Sequence, residues 1–122
     1  MSGALTWIAV AALGGLGALA RFRLDGAVAR RVGGDVPWGT LTVNTIAAFG
    51  AGLVAGAGLD GRGELVLAVG ALGSFSTFST WMLETQRLAE EGRSRLAIAN
   101  VVVPLAAGLA AAGLGWGLGA LL

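Results

Sequence analysis

The sequence contains no cysteine, no histidine and no lysine. Without Cys there is no disulfide, no thiolate nucleophile and no iron–sulfur ligand, and without His the usual haem ligands, zinc ligands and proton-relay groups are missing. Charge is also scarce: 12% of the residues carry any, and eight arginines face seven carboxylates for a net +1. No basic tail or patch remains to bind nucleic acid. The chain has no internal repeat, so a single subunit cannot build the pseudo-symmetric site found in many transporters. It also has no nucleotide-binding motif, and nothing in it points to an enzyme.

What the chain does have is apolar length. Of its 122 residues 56% are hydrophobic, at a mean hydropathy of +0.81, which is far too apolar for an ordinary water-soluble domain. Four uncharged runs, over residues 4–20, 36–59, 65–83 and 96–122, are each near or above the ~20 residues needed to cross a bilayer. The expectation is an all-α integral membrane protein of the cell membrane: one domain, 1–122, with four transmembrane helices at about 4–32, 37–59, 65–91 and 95–121. The first run lacks a preceding basic residue and a small-residue cleavage site, so it reads as a retained span and not a secretory signal. Turn composition separates the runs at Gly33-Gly34-Asp35-Val36-Pro37 and at Asp60-Gly61-Arg62-Gly63-Glu64. Twenty-two glycines, with Gly14 and Ala18, Gly52 and Gly56, and Gly113, Gly115, Gly117 and Gly119 among the small residues, suggest closely packed helices. Four short-looped helices enclose little volume, which favours a dimer.

The polar residues inside the runs are few. Gly73-Ser74-Phe75-Ser76-Thr77-Phe78-Ser79-Thr80-Trp81 puts five hydroxyls among aromatic rings in the third run. These hydroxyls either bond back to the preceding turn and glue helices together, or mark a break in the helix and a lined path. A non-helical turn at membrane depth is tolerated only inside protein or beside a cavity, and it frees carbonyls that suit a cation. Asn44, in the second run, needs partners for its amide, from neighbouring helices or from a permeating ion. Arg21 reads as an interfacial side chain beside Arg23, or as a cation that concentrates anions at a pore mouth. Glu84 reads as an interfacial carboxylate beside Arg87. The last run carries only Asn100 as a polar side chain, and Pro104 as a kink.

Three segments resemble, in order and spacing, the signature segments of the CrcB or Fluc fluoride channels. They are Gly14-Gly15-Leu16-Gly17-Ala18-Leu19-Ala20-Arg21, Gly39-Thr40-Leu41-Thr42-Val43-Asn44, and Gly73 through Trp81 continued by Met82-Leu83-Glu84. The resemblance implies an antiparallel dimer of four-helix subunits with the third helix broken near mid-membrane. It implies two fluoride pores along the subunit interface, which passively export fluoride and lower its cytoplasmic concentration. It also implies a structural, non-transported sodium ion at the dimer centre, held by the backbone carbonyls of Gly73 and Ser76. The pore residues it implies are Asn44, Phe78, Ser79, Thr80 and Trp81, and Arg21 and Glu84 are its vestibule or structural charges. Such a path suits a small, tightly hydrated anion, because hydroxyls, an amide and aromatic ring edges replace water without a fixed cation to trap the ion.

Two features depart from the family pattern. Trp81 stands where a second Phe is usual, and the last helix lacks the hydroxyls often found along the pore. The arginines are also lopsided: Arg30, Arg31, Arg93 and Arg95, with Arg87 adjacent, lie on one side against Arg62 on the other. That bias favours one fixed orientation, hence pairing with an oppositely inserted homologue, although pairing with a second copy of the chain is the simpler dimer. Two other readings are a proton-coupled exporter resembling the small multidrug resistance family, which wants a carboxylate deep in a helix, and a non-conducting membrane assembly subunit.

Overall fold

The computed structural model describes residues 3–34, 36–59 and 61–122. Asp35 and Asp60 of the two turns, and the side chains of Arg62, Glu64, Leu65, Val69, Ala71 and Ser74, lie outside the described residues. Helix α1 covers Gly3–Val32 and α2 covers Trp38–Ala57. A composite helix, α3, runs over residues 61–75 as an α-helical turn (Gly61–Glu64), a π-helical stretch (Leu65–Leu72) and a last α-helical turn (Gly73–Phe75). After a gap at 76–78, α4 covers Ser79–Glu90 and α5 covers Ser94–Gly119. Three of these helices, α1, α2 and α5, are long and apolar enough to cross a membrane. The chain is thus a multi-pass membrane protein.

The expectation for the third apolar run is a helix over about 65–91 broken near mid-membrane, and the structure differs in where that run starts. It starts earlier, because Gly61–Glu64, read from the sequence as turn, is already helical. The gap at 76–78 leaves neither piece as long as the other three helices. Pro37 precedes α2 instead of lying within it, and its carbonyl accepts the Leu41 N–H.

The ends of the helices follow from local chemistry. Gly58 takes a left-handed conformation that closes α2, a backbone state glycine enters without a Cβ penalty. At the end of α4, Gly92 is also left-handed (φ 75°). There the Arg93 N–H bonds the Leu88 carbonyl at 2.9 Å and the Gly92 N–H bonds the Ala89 carbonyl at 3.1 Å, the crossed pair of a Schellman turn. Leu88, from which that turn is hung, is 1% exposed and anchors α4 in the small core with Val43, Ala47, Ala97 and Ala111.

Two glycine pairs hold α2 against α5. A Cβ on Gly52 or Gly56 would overlap the carbonyl oxygen of Ala112 or Trp116, and a Cβ on Gly115 or Gly119 would overlap that of Phe49 or Leu53. Each helix thus lays a small-xxx-small face on the other's backbone, the arrangement that lets helices associate where lipid provides no hydrophobic drive. Gly113 and Gly117 face open space. Helix α1 packs on α3 through Val10 and Leu13, where a Cβ on Gly70 would come within 3.2 Å of the Val10 backbone, and Thr6 and Gly17 are buried on the same stripe of α1. Most other large apolar side chains, among them Leu5, Phe22, Leu109 and Trp116, point outward, as a lipid or subunit interface requires.

The α2–α5 contact yields a test with a built-in control. Gly52→Ala or Gly115→Ala is expected to cost about 1–3 kcal/mol through forced overlap with backbone. Gly117→Ala on the open face is expected to be neutral or to stabilise by about 0.5–1 kcal/mol. Thermal unfolding in detergent separates them, and equal effects at Gly115 and Gly117 would refute this packing.

Candidate functional site

The site is built on the gap between α3 and α4. Ser76 leaves the helix in an extended conformation (φ −76°, ψ 160°), and the exposed backbone of Thr77 is taken up by a side chain from α2. The Asn44 Nδ2 donates to the Thr77 carbonyl and the Asn44 Oδ1 accepts the Thr77 N–H, both at 2.8 Å. An Asn amide has the donor and acceptor of a peptide group, so it pairs with a stretch of backbone as a neighbouring strand would. The Thr77 hydroxyl then accepts the Thr80 N–H at 3.2 Å, supplying one of the orphan donors in the first turn of α4.

These contacts redirect the helical ladder. In a continuous α-helix the Thr77 N–H would bond the Gly73 carbonyl and the Thr80 N–H would bond the Ser76 carbonyl. Both donors are drawn off instead, one by Asn44 and one by Thr77. The carbonyls of Gly73 and Ser76 are thereby among those left without their α-helical donors. Backbone oxygens suit a hard monovalent cation. Among the described residues there is no cluster of three or more His, Cys, Asp or Glu that could hold a metal by side chains.

An open groove of about 570 Å³ runs beside the gap between α2 and α5. Asn44, Gly73, Ser76, Thr77, Phe78 and Trp81 line one side, and Pro104, Leu105, Gly108, Leu109 and Ala112 line the other. Phe78 and Trp81 meet edge to face, with ring centroids 5.8 Å apart and planes at 90°. Phe78 is 69% exposed, so its ring forms the rim of the groove. The Trp81 indole N–H donates to the Asn100 carbonyl of α5. Asn100 Nδ2 donates to the Thr85 hydroxyl at 2.8 Å, and that hydroxyl donates to the Trp81 carbonyl at 2.9 Å.

The remaining sequence candidates lie elsewhere. Ser79 is exposed and Thr80 half-buried, and neither lines the groove. Arg21 is half-buried on α1, outside the groove. Glu84, read from the sequence as interfacial beside Arg87, is half-buried and shares a second cavity of about 210 Å³ with Asp25, Gly39 and Arg87. Its Oε1 and the Thr40 hydroxyl are buried, the hydroxyl facing the carboxylate. Sequence reasoning did not single out Thr77, Thr40 or Thr85, because nothing distinguishes one hydroxyl in a cluster from the next. Asn100 was noted as the only polar side chain of its run, without a role at the site.

Removal of the Asn44 amide is expected to leave the Thr77 N–H and carbonyl unpaired. Asn44→Ala should then destabilise the protein by about 1–3 kcal/mol for each group. Thr77→Val should cost about 1 kcal/mol through the lost cap, and Thr77→Ser should restore it. Unfolding of the purified protein in detergent measures all three, and an Asn44→Ala protein as stable as wild type would rule out the pairing.

Residues 8–116 match the family described as CrcB-like protein, Camphor Resistance (CrcB). A protein of Mycobacterium tuberculosis named fluoride-specific ion channel FluC 2 is 49% identical over 109 residues, covering 89% of this chain and 86% of its own length. The FluC 2 of Mycolicibacterium paratuberculosis is 46% identical over 115 residues, 94% of each chain, and that of Haloarcula marismortui 48% over 109 residues, 89% of each. With a match spanning nearly the whole sequence and relatives this similar along their own length, the chain belongs to the CrcB-like family.

Proposed function

We propose that this protein is one subunit of a fluoride-specific ion channel: four membrane-crossing segments, the third interrupted near mid-membrane, in an antiparallel dimer that lets fluoride leave the cytoplasm passively. The observation that carries the reading is the groove that gathers Asn44, Gly73, Ser76, Phe78 and Trp81, and the names of the relatives support it. Fluoride holds its water tightly, so its path must offer donors continuously and none too strongly. The Asn44 amide spends one N–H on Thr77 and keeps its second for an anion, while the edges of Phe78 and Trp81 offer partly positive C–H groups. Ser79 and Thr80 remain candidate hydroxyl donors where the partner subunit closes the path, with Arg21 and Glu84 as its outer charges.

The same proposal assigns a structural sodium ion to the Gly73 and Ser76 carbonyls, met by their counterparts from the partner. Its chemistry would be a fixed positive charge that neutralises the facing carbonyl dipoles and ties the two broken helices together. Glu84 lies in a different cavity from the groove, so the geometry does not favour a proton-coupled exporter with a carboxylate in its substrate path.

The groove has one polar and one apolar side, for the α5 lining contributes only Pro104, Leu105, Gly108, Leu109 and Ala112. With the arginine asymmetry, this favours an oppositely oriented homologous subunit as partner over a second copy of the chain.

Reconstitution in liposomes tests the proposal. Fluoride efflux is expected without a proton gradient and with chloride excluded, more strongly when an oppositely oriented homologue is co-expressed. Efflux from neither preparation, or only under a proton gradient, would refute it. Replacing sodium by a large organic cation should abolish efflux, whereas Ser76→Ala should leave the sodium dependence unchanged because it keeps the carbonyl. Sodium-independent flux would remove the metal from the proposal.

A further inference from the structure

In a regular α-helix the carbonyl of residue 100 accepts the N–H of residue 104. In α5 residue 104 is proline, which has no N–H and whose ring pushes the carbonyl four residues back out of line. The Asn100 carbonyl is therefore stripped of its helical donor in an apolar setting, where an unpaired polar group is costly. The group that reaches it is the indole N–H of Trp81, from α4. The same contact is braced from both ends: the Asn100 amide donates to Thr85 at 2.8 Å, and the Thr85 hydroxyl donates to the Trp81 carbonyl at 2.9 Å.

We propose that Trp81 and Pro104 form a coupled positioning pair, in which the proline exposes the Asn100 carbonyl and the indole N–H occupies it. The pairing locks the aromatic wall of the groove to α5 and withholds its one strong donor from the anion. Phe78 rests edge-on against Trp81, so fixing one ring fixes both. An indole N–H aimed into a fluoride path would be a strong donor and a trap for a small hard anion, whereas ring C–H edges attract it weakly and let it pass. The two positions where this chain departs from the usual family pattern, an indole on α4 and a polar-poor α5 with proline, are then one feature. The inference rests on the channel reading only for its transport consequence.

A double-mutant cycle is the test, with thermal unfolding in detergent and fluoride efflux from liposomes as readouts. Trp81→Phe orphans the Asn100 carbonyl and is expected to lower the melting temperature by several degrees and efflux by about tenfold or more, as misplacement of a positioning group does. Trp81→Phe combined with Pro104→Ala returns a helical N–H to that carbonyl and is expected to recover most of both losses. Additive effects, with the double variant no better than Trp81→Phe, would overturn the coupling. The wild-type protein provides a measurement that needs no variant to fold. With indole nitrogen labelled, the Trp81 N–H resonance is expected to exchange slowly with deuterium and to keep its shift on fluoride addition. A fluoride-dependent shift would show the N–H donating to the anion and overturn the proposal. If wild type conducts no fluoride, the channel reading fails, while the melting cycle and the exchange rate still decide the pairing.

Discussion

A backbone amide placed among apolar groups must find a partner, and this fold breaks its helical ladder in two places where that demand has to be met from outside the helix. At the α3–α4 gap the partner is the Asn44 amide of α2, and at Pro104 it is the Trp81 indole of α4. Each repair crosses from one helix to another. The interruptions are thus what join the helices by specific polar contacts, and the glycine faces set how near they come. A continuous α3 would need no Asn44, and α2 would then be free to slide along it.

The size and shape of the groove follow from the same division of labour. Toward the end of α5, Gly115 and Gly119 bring the two backbones into contact with α2. Farther along, Ala48 and Gly108 still face each other closely, since a Cβ on Gly108 would lie 3.9 Å from that of Ala48. Small residues on both helices therefore form the floor, and the large ones, Phe78 and Trp81 on one side and Leu105 and Leu109 on the other, form the walls. Enlarging the floor residues would fill the space, and shrinking the wall residues would open it to lipid. Neither change need alter the carbonyls of Gly73 and Ser76, which depend on Asn44 and Thr77.

Much of this was legible in the sequence, but unevenly. Apolar length marked α1, α2 and α5, and the spacing of Gly52 and Gly56 marked a packing face that the structure uses. The clustered hydroxyls from Gly73 onward marked a stretch where the helix would either break or bond its hydroxyls back to the preceding turn. What the sequence could not give was the agent. That Asn44 grips Thr77, and not some other hydroxyl-bearing residue of the cluster, depends on how α2 lies across the gap, a long-range geometry with no local trace. Among the glycines of the last helix, equal spacing hid a difference that only the packing reveals: Gly115 and Gly119 touch α2, and Gly113 and Gly117 touch nothing. The early start of the third helix at Gly61 escaped because Gly-rich composition reads as turn.

The apolar side of the groove bears on how a channel of this kind would be assembled. An anion leaving water needs donors around it, and α2 with α4 supplies them over one side only. If a subunit of the same sequence faced this one by a two-fold axis, each path would meet one polar lining and one apolar α5 lining. A homologue whose last helix carries hydroxyls would leave one path lined on both sides by polar groups and the other less so. The two paths would then be unequal, with conduction concentrated in one. That inequality would arise from the apolar α5 lining, Pro104, Gly108 and Ala112 among it, and not from Asn44 or the backbone it holds. The glycine faces and the paired gap that join the helices within the subunit do not depend on the α5 lining, so the groove can lack donors on one side without the fold losing its joints.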